Sequence, residues 1–196
     1  MTAPTNLGRL REFVIAFGAL LDKTGEESRI LEEGGHLLAK LVRHDDWLPG
    51  AWAEPDAEHY RQYLLHCDST EQFSVVSFVW GPGQSTPVHD HGTWGLVGML
   101  RGSETSEPWS RRPDGTMCPS GPGHRLTPGD VEKISVAAGD VHRVANALTN
   151  AASISIHVYG ANIGQVKRSV YTLDGTARPF VSGYSNSTTP NFWGKT

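Results

Sequence analysis

The feature that most constrains this chain is a change of texture near Cys67. Beyond it, short β-branched and aromatic runs alternate with turns rich in glycine and proline. Residues 73–80 (FSVVSFVW) stop at Gly81-Pro82-Gly83, which is the pattern of a strand ended by a turn. Residues 95–100, 131–136, 141–145, 154–159 and 169–173 read the same way. They are parted by turns such as Pro128-Gly129-Asp130 and Ala138-Gly139-Asp140. Many short, closely spaced strands predict an antiparallel sandwich or barrel. Residues 108–123 (PWSRRPDGTMCPSGPG) are expected as a surface hairpin loop.

Before Cys67 the period is helical. Leu10, Phe13, Val14, Phe17, Leu20 and Leu21 fall at the spacing of one buried helix face. Residues 28–42 repeat it with Ile30, Leu31, Leu37, Leu38, Leu41 and Val42, although Gly34 and Gly35 weaken the helix. A third short helix is expected between residues 55 and 67, starting near Asp56. The expectation is therefore a mainly β protein of one domain spanning residues 1–196. A helical layer takes residues 1–67, a β-barrel 68–183, and a tail of residues 184–196 drapes over the barrel. A chain of 196 residues suits one domain and would cramp two.

Several function classes are set aside by composition. A formal charge of −4 leaves no electrostatic footprint for nucleic acid or an anionic membrane. No apolar run approaches the roughly 20 residues of a membrane span. The opening MTAPTNLGRLREF carries no apolar segment behind its charges, so no secretory leader is expected. Two cysteines, Cys67 and Cys118, make no disulfide framework, and a reducing cytoplasm is the simpler expectation.

Nine histidines occur. His36, His44, His59, His66 and His124 have no partner at metal spacing and are taken as surface or satisfied core residues. In Pro87-Val88-His89-Asp90-His91 the i, i+2 spacing on a strand would aim both imidazoles at one face. Inside a small barrel that pair seats a divalent metal; the spacing alone equally fits two histidines on a solvent-facing edge. His142 tips the balance. It follows the turn at Gly139-Asp140, on a strand able to lie opposite the first pair.

These residues resemble the two motifs of the cupin superfamily. His89-x-His91 followed by Gly102 is similar to the first, and Gly139-x2-His142-x3-Asn146 to the second. The match is partial. Trp94 and Gly95 stand where many cupins carry a glutamate ligand, and Ala137 holds the proline position of the second motif. Losing the glutamate leaves three neutral histidines, which marks the cysteine dioxygenase-like thiol dioxygenases. Ser155-x-His157-x-Tyr159 resembles the strand that forms a hydrogen-bond chain beside their iron. Its alternation puts those three side chains on one face, while Ile154, Ile156 and Val158 would face the helical layer.

The resemblance implies a small antiparallel jelly roll holding one Fe(II) on His89, His91 and His142. It implies an oxidoreductase that adds both atoms of O2 to a small thiol, giving a sulfinate. Ser155, His157 and Tyr159 would act at the oxygen or the substrate's distal group. In animal-type cysteine dioxygenases an arginine in Tyr-x-Arg-x-Leu grips the substrate carboxylate; here Tyr60-Arg61-Gln62-Tyr63-Leu64 puts Gln62 in its place. Gly95 stands where those enzymes carry the cysteine cross-linked to the site tyrosine, so no Cys–Tyr thioether is expected. Both departures resemble the bacterial 3-mercaptopropionate dioxygenases, in which an arginine matching Arg168 serves the carboxylate. The implied partners are a small thiol and O2, with the oligomeric state open and a homo-oligomer among the options. Alternatives are a cysteine, cysteamine or mercaptosuccinate dioxygenase, with Arg61, Arg101 or Arg143 serving a second carboxylate. A non-catalytic metal-binding cupin sensor and a metal-assisted isomerase or storage cupin are alternatives of another class.

Overall fold

The computed structural model describes residues 6–194. The leading stretch of residues 1–5 and the last two residues of the tail lie outside the described residues. Two helices come first, α1 (Gly8–Leu21) and α2 (Glu27–Val42), followed by one 3-10 turn at Gly50–Trp52. The strands are β1 (Arg61–Cys67), β2 (Ser74–Trp80), β3 (Val88–His89), β4 (Gly95–Arg101), β5 (Glu104–Arg111) and β6 (Met117–Pro119). They continue with β7 (His124–Leu126), β8 (Val131–Ile134), β9 (His142–Asn146), β10 (Ser153–Tyr159), β11 (Arg168–Tyr171) and β12 (Ala177–Phe180).

One sheet runs β1-β2-β10-β4-β8 and the other β12-β11-β3-β9-β5-β6, with β7 also on β5. Every pairing is antiparallel. The chain crosses repeatedly between the sheets, from β2 through β3 and β4 to β5 and again from β7 through β8, β9 and β10 to β11, which closes them into a mainly β, antiparallel jelly roll. The helices cover the outer face of the five-stranded sheet. Leu10, Phe13, Phe17, Leu38 and Leu41 pack with Val75, Val79, Leu96, Leu100, Ile154, Ile156 and Val158 in one core. Gly34 has a packing reason for sitting in a helix. A Cβ there would lie 2.7 Å from the Phe17 ring, and one at Gly98 would lie 2.8 Å from Leu38. Both glycines let helix and sheet approach more closely than any side chain permits.

The third helix expected between residues 55 and 67 is not there. That stretch is β1, paired with β2 from Arg61↔Val79 to Cys67↔Ser74, so the barrel begins at Arg61 rather than at residue 68. Tertiary pairing overrides the local pattern, because both edges of β1 are satisfied. Its free edge takes the C-terminal tail: the Gln62 backbone N–H donates to Ser185 Oγ at 3.0 Å, and the Asn186 side chain bonds both the N–H and C=O of Leu64. The tail thus lies against the barrel and puts Phe192 into the helix-side core. The β5, β6, β7 and β12 strands carry weak signals. Residues 108–123 do form a hairpin, but one built on the end of β5 and on β6.

Candidate metal centre

His89 and His142 are register partners across β3 and β9. His91 lies just beyond the end of β3 rather than on it, so the i, i+2 strand expectation holds only for its first histidine. A side chain fixes the second: Asp140 Oδ2 accepts the backbone N–H groups of His91 at 2.8 Å and Gly92 at 3.0 Å. The three imidazole centroids lie 4.9, 4.9 and 4.8 Å apart. One ring nitrogen from each falls within 4.8 Å of the others.

Their outer nitrogens are all occupied. Nδ1 of His89 bonds the Pro87 carbonyl at 3.1 Å, that of His91 the Asp140 carbonyl at 3.0 Å, and that of His142 Ser106 Oγ at 3.1 Å. A carbonyl can only accept, so His89 and His91 carry the proton on Nδ1 and turn the Nε2 lone pair inward. Burial keeps all three rings neutral, lowering His89 to about 4 and moving His91 and His142 well below their ordinary value. Three convergent, neutral, pre-aimed imidazoles are a donor set for a first-row transition metal. Among the described residues no carboxylate joins the cluster.

Beside it, β10 turns Ser155, His157 and Tyr159 into the barrel. Ser155 Oγ lies 2.8 Å from His157 Nε2, and His157 Nδ1 lies 2.8 Å from the Tyr159 hydroxyl. His157 stacks on Phe78 with centroids 4.0 Å apart, and the Trp80 indole N–H donates to Ser155 Oγ at 3.4 Å. Burial lowers His157 to about 3 and raises the Tyr159 phenol, so both are neutral. Gly95 is the register partner of Tyr159. A Cβ there would lie 3.1 Å from the phenol ring, and Cys67 and Cys118 are free thiols elsewhere.

Histidines and chain face a cavity of about 200 Å³, walled by Tyr60, Phe78, Trp80 and Phe180. Gln62 and Arg168 also line it. Gln62 Oε1 and Arg168 Nε are buried without a partner among the described residues. The Arg168 guanidinium is held by Ser182 Oγ at 2.7 Å and lies 4.6 Å over the Phe180 ring. Its position on β11, the sheet neighbour of β3, places a nearly buried cation on the same cavity wall as His89. Arg61, Arg101 and Arg143 do not line the cavity. They pair outside it with Asp56, Asp45 and Glu107, which corrects the idea that one of them meets a second carboxylate.

Of the candidate residues, His89, His91, His142, His157, Tyr159, Gln62 and Arg168 line the cavity and Ser155 lies behind His157; their supports were not among the candidates. Asp140 holds the His91 loop. Ser106 links His142 to Glu132, whose carboxylate accepts Ser106 Oγ–H at 2.8 Å and lies 3.2 Å from His124 Nε2. Glu104 is a fully buried carboxyl that accepts Ser153 Oγ–H at 3.1 Å. Only Asp140 had a sequence signal, its place beside the motif glycine. The others sit on β5, β7 and β8, where hydrophobic periodicity is weak. Asn146 of the second motif has a structural task, donating to the carbonyls of Trp80, Gly81 and Ala151.

Set against known proteins, residues 38–170 match the family model described as cysteine dioxygenase type I. Similar solved structures include an uncharacterized conserved protein with a double-stranded beta-helix domain from Klebsiella pneumoniae. It is 16% identical, with 61% of this chain and 92% of that one covered and a TM-score of 0.46. A cupin superfamily protein from Desulfitobacterium hafniense is 14% identical over 61% of this chain and 94% of its own, with a TM-score of 0.44.

Proposed function

The chain belongs to the cysteine dioxygenase type I family, a family of thiol dioxygenases, and from that premise we propose that it oxidises 3-mercaptopropionate to 3-sulfinopropionate on one Fe(II). The reaction is R–SH + O2 → R–SO2H, which balances with no further reductant. The observation that carries the reading is the presence of three neutral imidazoles and one buried arginine on the walls of one small cavity that, among the described residues, no carboxylate lines.

Iron held by His89, His91 and His142 would supply the one-electron chemistry that O2 requires to react with a thiolate. The protein's own groups bind and orient. Arg168 supplies the charge that a buried carboxylate needs, since an unpaired ion there is costly. Gln62 adds an amide donor from β1. The aromatic walls exclude water. Tyr159, kept protonated by burial, presents a hydroxyl whose direction is set by His157 and Ser155. Among the described residues the cavity offers no acidic partner to the ammonium group that cysteine would bring, and Arg168 alone as a cation for the second carboxylate of mercaptosuccinate. Both arguments favour a thiol with one carboxylate and no amine. With Gly95 facing Tyr159, the phenol is proposed to work without a thioether. Two free thiols fit a reducing cytoplasm.

After anaerobic iron loading, O2 uptake should show the highest kcat/KM for 3-mercaptopropionate, with cysteine below it and cysteamine lowest. Arg168→Ala should lower kcat/KM for 3-mercaptopropionate by about one to two decades, the worth of a charge-assisted hydrogen bond, and leave cysteamine nearly unchanged. Equal losses on both would make Arg168 a structural residue. Cysteine outperforming 3-mercaptopropionate would move the chain to the cysteine reading.

A further inference from the structure

His89 and His91 each meet a backbone carbonyl at Nδ1, and a carbonyl can only accept. His142 is different. Its Nδ1 lies 3.1 Å from Ser106 Oγ, and a hydroxyl can either donate or accept. If Ser106 donated, Nδ1 would be bare and the ring proton would sit on Nε2, turned toward the metal position. A neutral imidazole in that tautomer has no lone pair to offer there. Ligation by His142 therefore depends on which way one serine hydroxyl points.

The deciding group comes from the other sheet. Ser106 stands on β5 two residues before Pro108, the register partner of His142 on β9, and so reaches the imidazole diagonally. Glu132 comes from β8, at the edge of the five-stranded sheet. Its Oε1 accepts Ser106 Oγ–H at 2.8 Å and lies 3.2 Å from His124 Nε2. Ser106 is 1% exposed, and among the described residues its hydroxyl bonds only Glu132 and His142.

We propose that Glu132 is a positioning residue for the metal: by taking the one proton of Ser106 it leaves that hydroxyl only as an acceptor, which holds His142 with its proton on Nδ1 and its Nε2 lone pair turned inward. The Ser106–Glu132 bond gives a hydroxyl the one-way character that the Pro87 and Asp140 carbonyls give the other two ligands. Hydrogen-bond partners behind a metal-bound imidazole fix its tautomer and ring direction in this way.

The setting shows why a dedicated acceptor is needed here. His142 lines two cavities, the one it shares with His89 and His91 and a smaller one of about 90 Å³. Ser106, His124, Glu132 and Asp140 line the smaller one as well. Water entering it donates and accepts with equal ease, so it would set no direction at Nδ1. Burial raises Glu132, and the Ser106 hydroxyl and His124 both draw it back. The role asked of the carboxyl is only that Oε1 accept.

The inference rests on the reading of His89, His91 and His142 as metal ligands. Its tests separate the two, because the first needs no metal and none uses a thiol or O2. Heteronuclear side-chain NMR of the metal-free protein should find His142 with its proton on Nδ1 and a bare Nε2. A proton on Nε2 overturns the proposal, whether or not any variant folds. In Glu132→Leu the freed Ser106 hydroxyl should donate to Nδ1, and His142 should pass to Nε2–H. Anaerobic Fe(II) affinity, read by competition with a chelator, should then fall about 10–100-fold. A folded Glu132→Leu that keeps the wild-type tautomer overturns the proposal, whatever its affinity. The double variant carrying Ser106→Ala and Glu132→Leu supplies a readout that a packing role would not move. It has no hydroxyl to misdirect, so it should bind Fe(II) more tightly than Glu132→Leu alone. An affinity equal to or weaker than that of the single variant overturns the proposal.

Discussion

The two faces of the five-stranded sheet are built from the same strands and held by different physics. On β10, Ile154, Ile156 and Val158 turn outward against α1 and α2, and Ser155, His157 and Tyr159 turn inward. On β2, Val75 and Val79 join the helix-side core while Val76, Phe78 and Trp80 turn inward into a second apolar cluster, where Phe78 and Trp80 line the cavity. The outward face is held by non-directional apolar burial, which tolerates substitution in proportion to the volume lost. The inward face sets beside its apolar cluster a series of directed hydrogen bonds among neutral groups, where one misplaced proton donor changes the arrangement. Stability should therefore reside mainly in the outer face and chemistry in the inner one.

The sharpest way to break that comparison is at the metal. Replacing His89, His91 or His142 by Ala should remove nearly all metal binding at equimolar iron while the far-UV circular dichroism stays native. Full iron content in all three variants would dissolve the assignment. Next comes Ile156→Ala on the outer face, which should cost about 2–5 kcal/mol in urea unfolding with metal stoichiometry retained. Loss of metal binding in the folded variant would mean that the two faces are not separable.

A pH series on metal-free protein sharpens the point. His89 in the unfolded chain takes a proton near its ordinary 6.5, but in the fold only near about 4. The unfolded state thus binds more protons between those values. The contribution is fully present above pH 6.5 and is lost as pH falls toward about 4, on the order of 3 kcal/mol for this residue. His157 acts with the same sign. Urea unfolding at several pH values should show this slope, and His89→Ala should reduce it. The smallest effect is expected for Tyr159→Phe. It removes one hydroxyl, costs about 1 kcal/mol, keeps the metal and changes the pH profile of turnover. Unchanged kinetics across pH would make the inner chain purely structural.

Much of this was legible in sequence because it repeats or alternates. The α1 face from Leu10 to Phe17 shows a period of 3.6, β10 a period of two, and the histidine motifs have fixed spacing, so each is read without knowing what lies opposite. The sequence therefore pointed by itself to the three imidazoles and to the Ser155-His157-Tyr159 set as candidates, and the resemblance added Gly95 as the place where a cysteine would stand. Tertiary structure decided the rest. Arg61–Cys67 became a strand because β2 pairs one of its edges and Ser185 and Asn186 bond the other, more than 120 residues away in sequence. Gln62 and Arg168 became neighbours of one cavity only when β1 and β11 closed the barrel. Glu104 and Glu132 look like ordinary solvated carboxylates in sequence, and burial alone made them otherwise. Local periodicity records which way a side chain points, whereas its partners and its solvent are properties of the closed barrel.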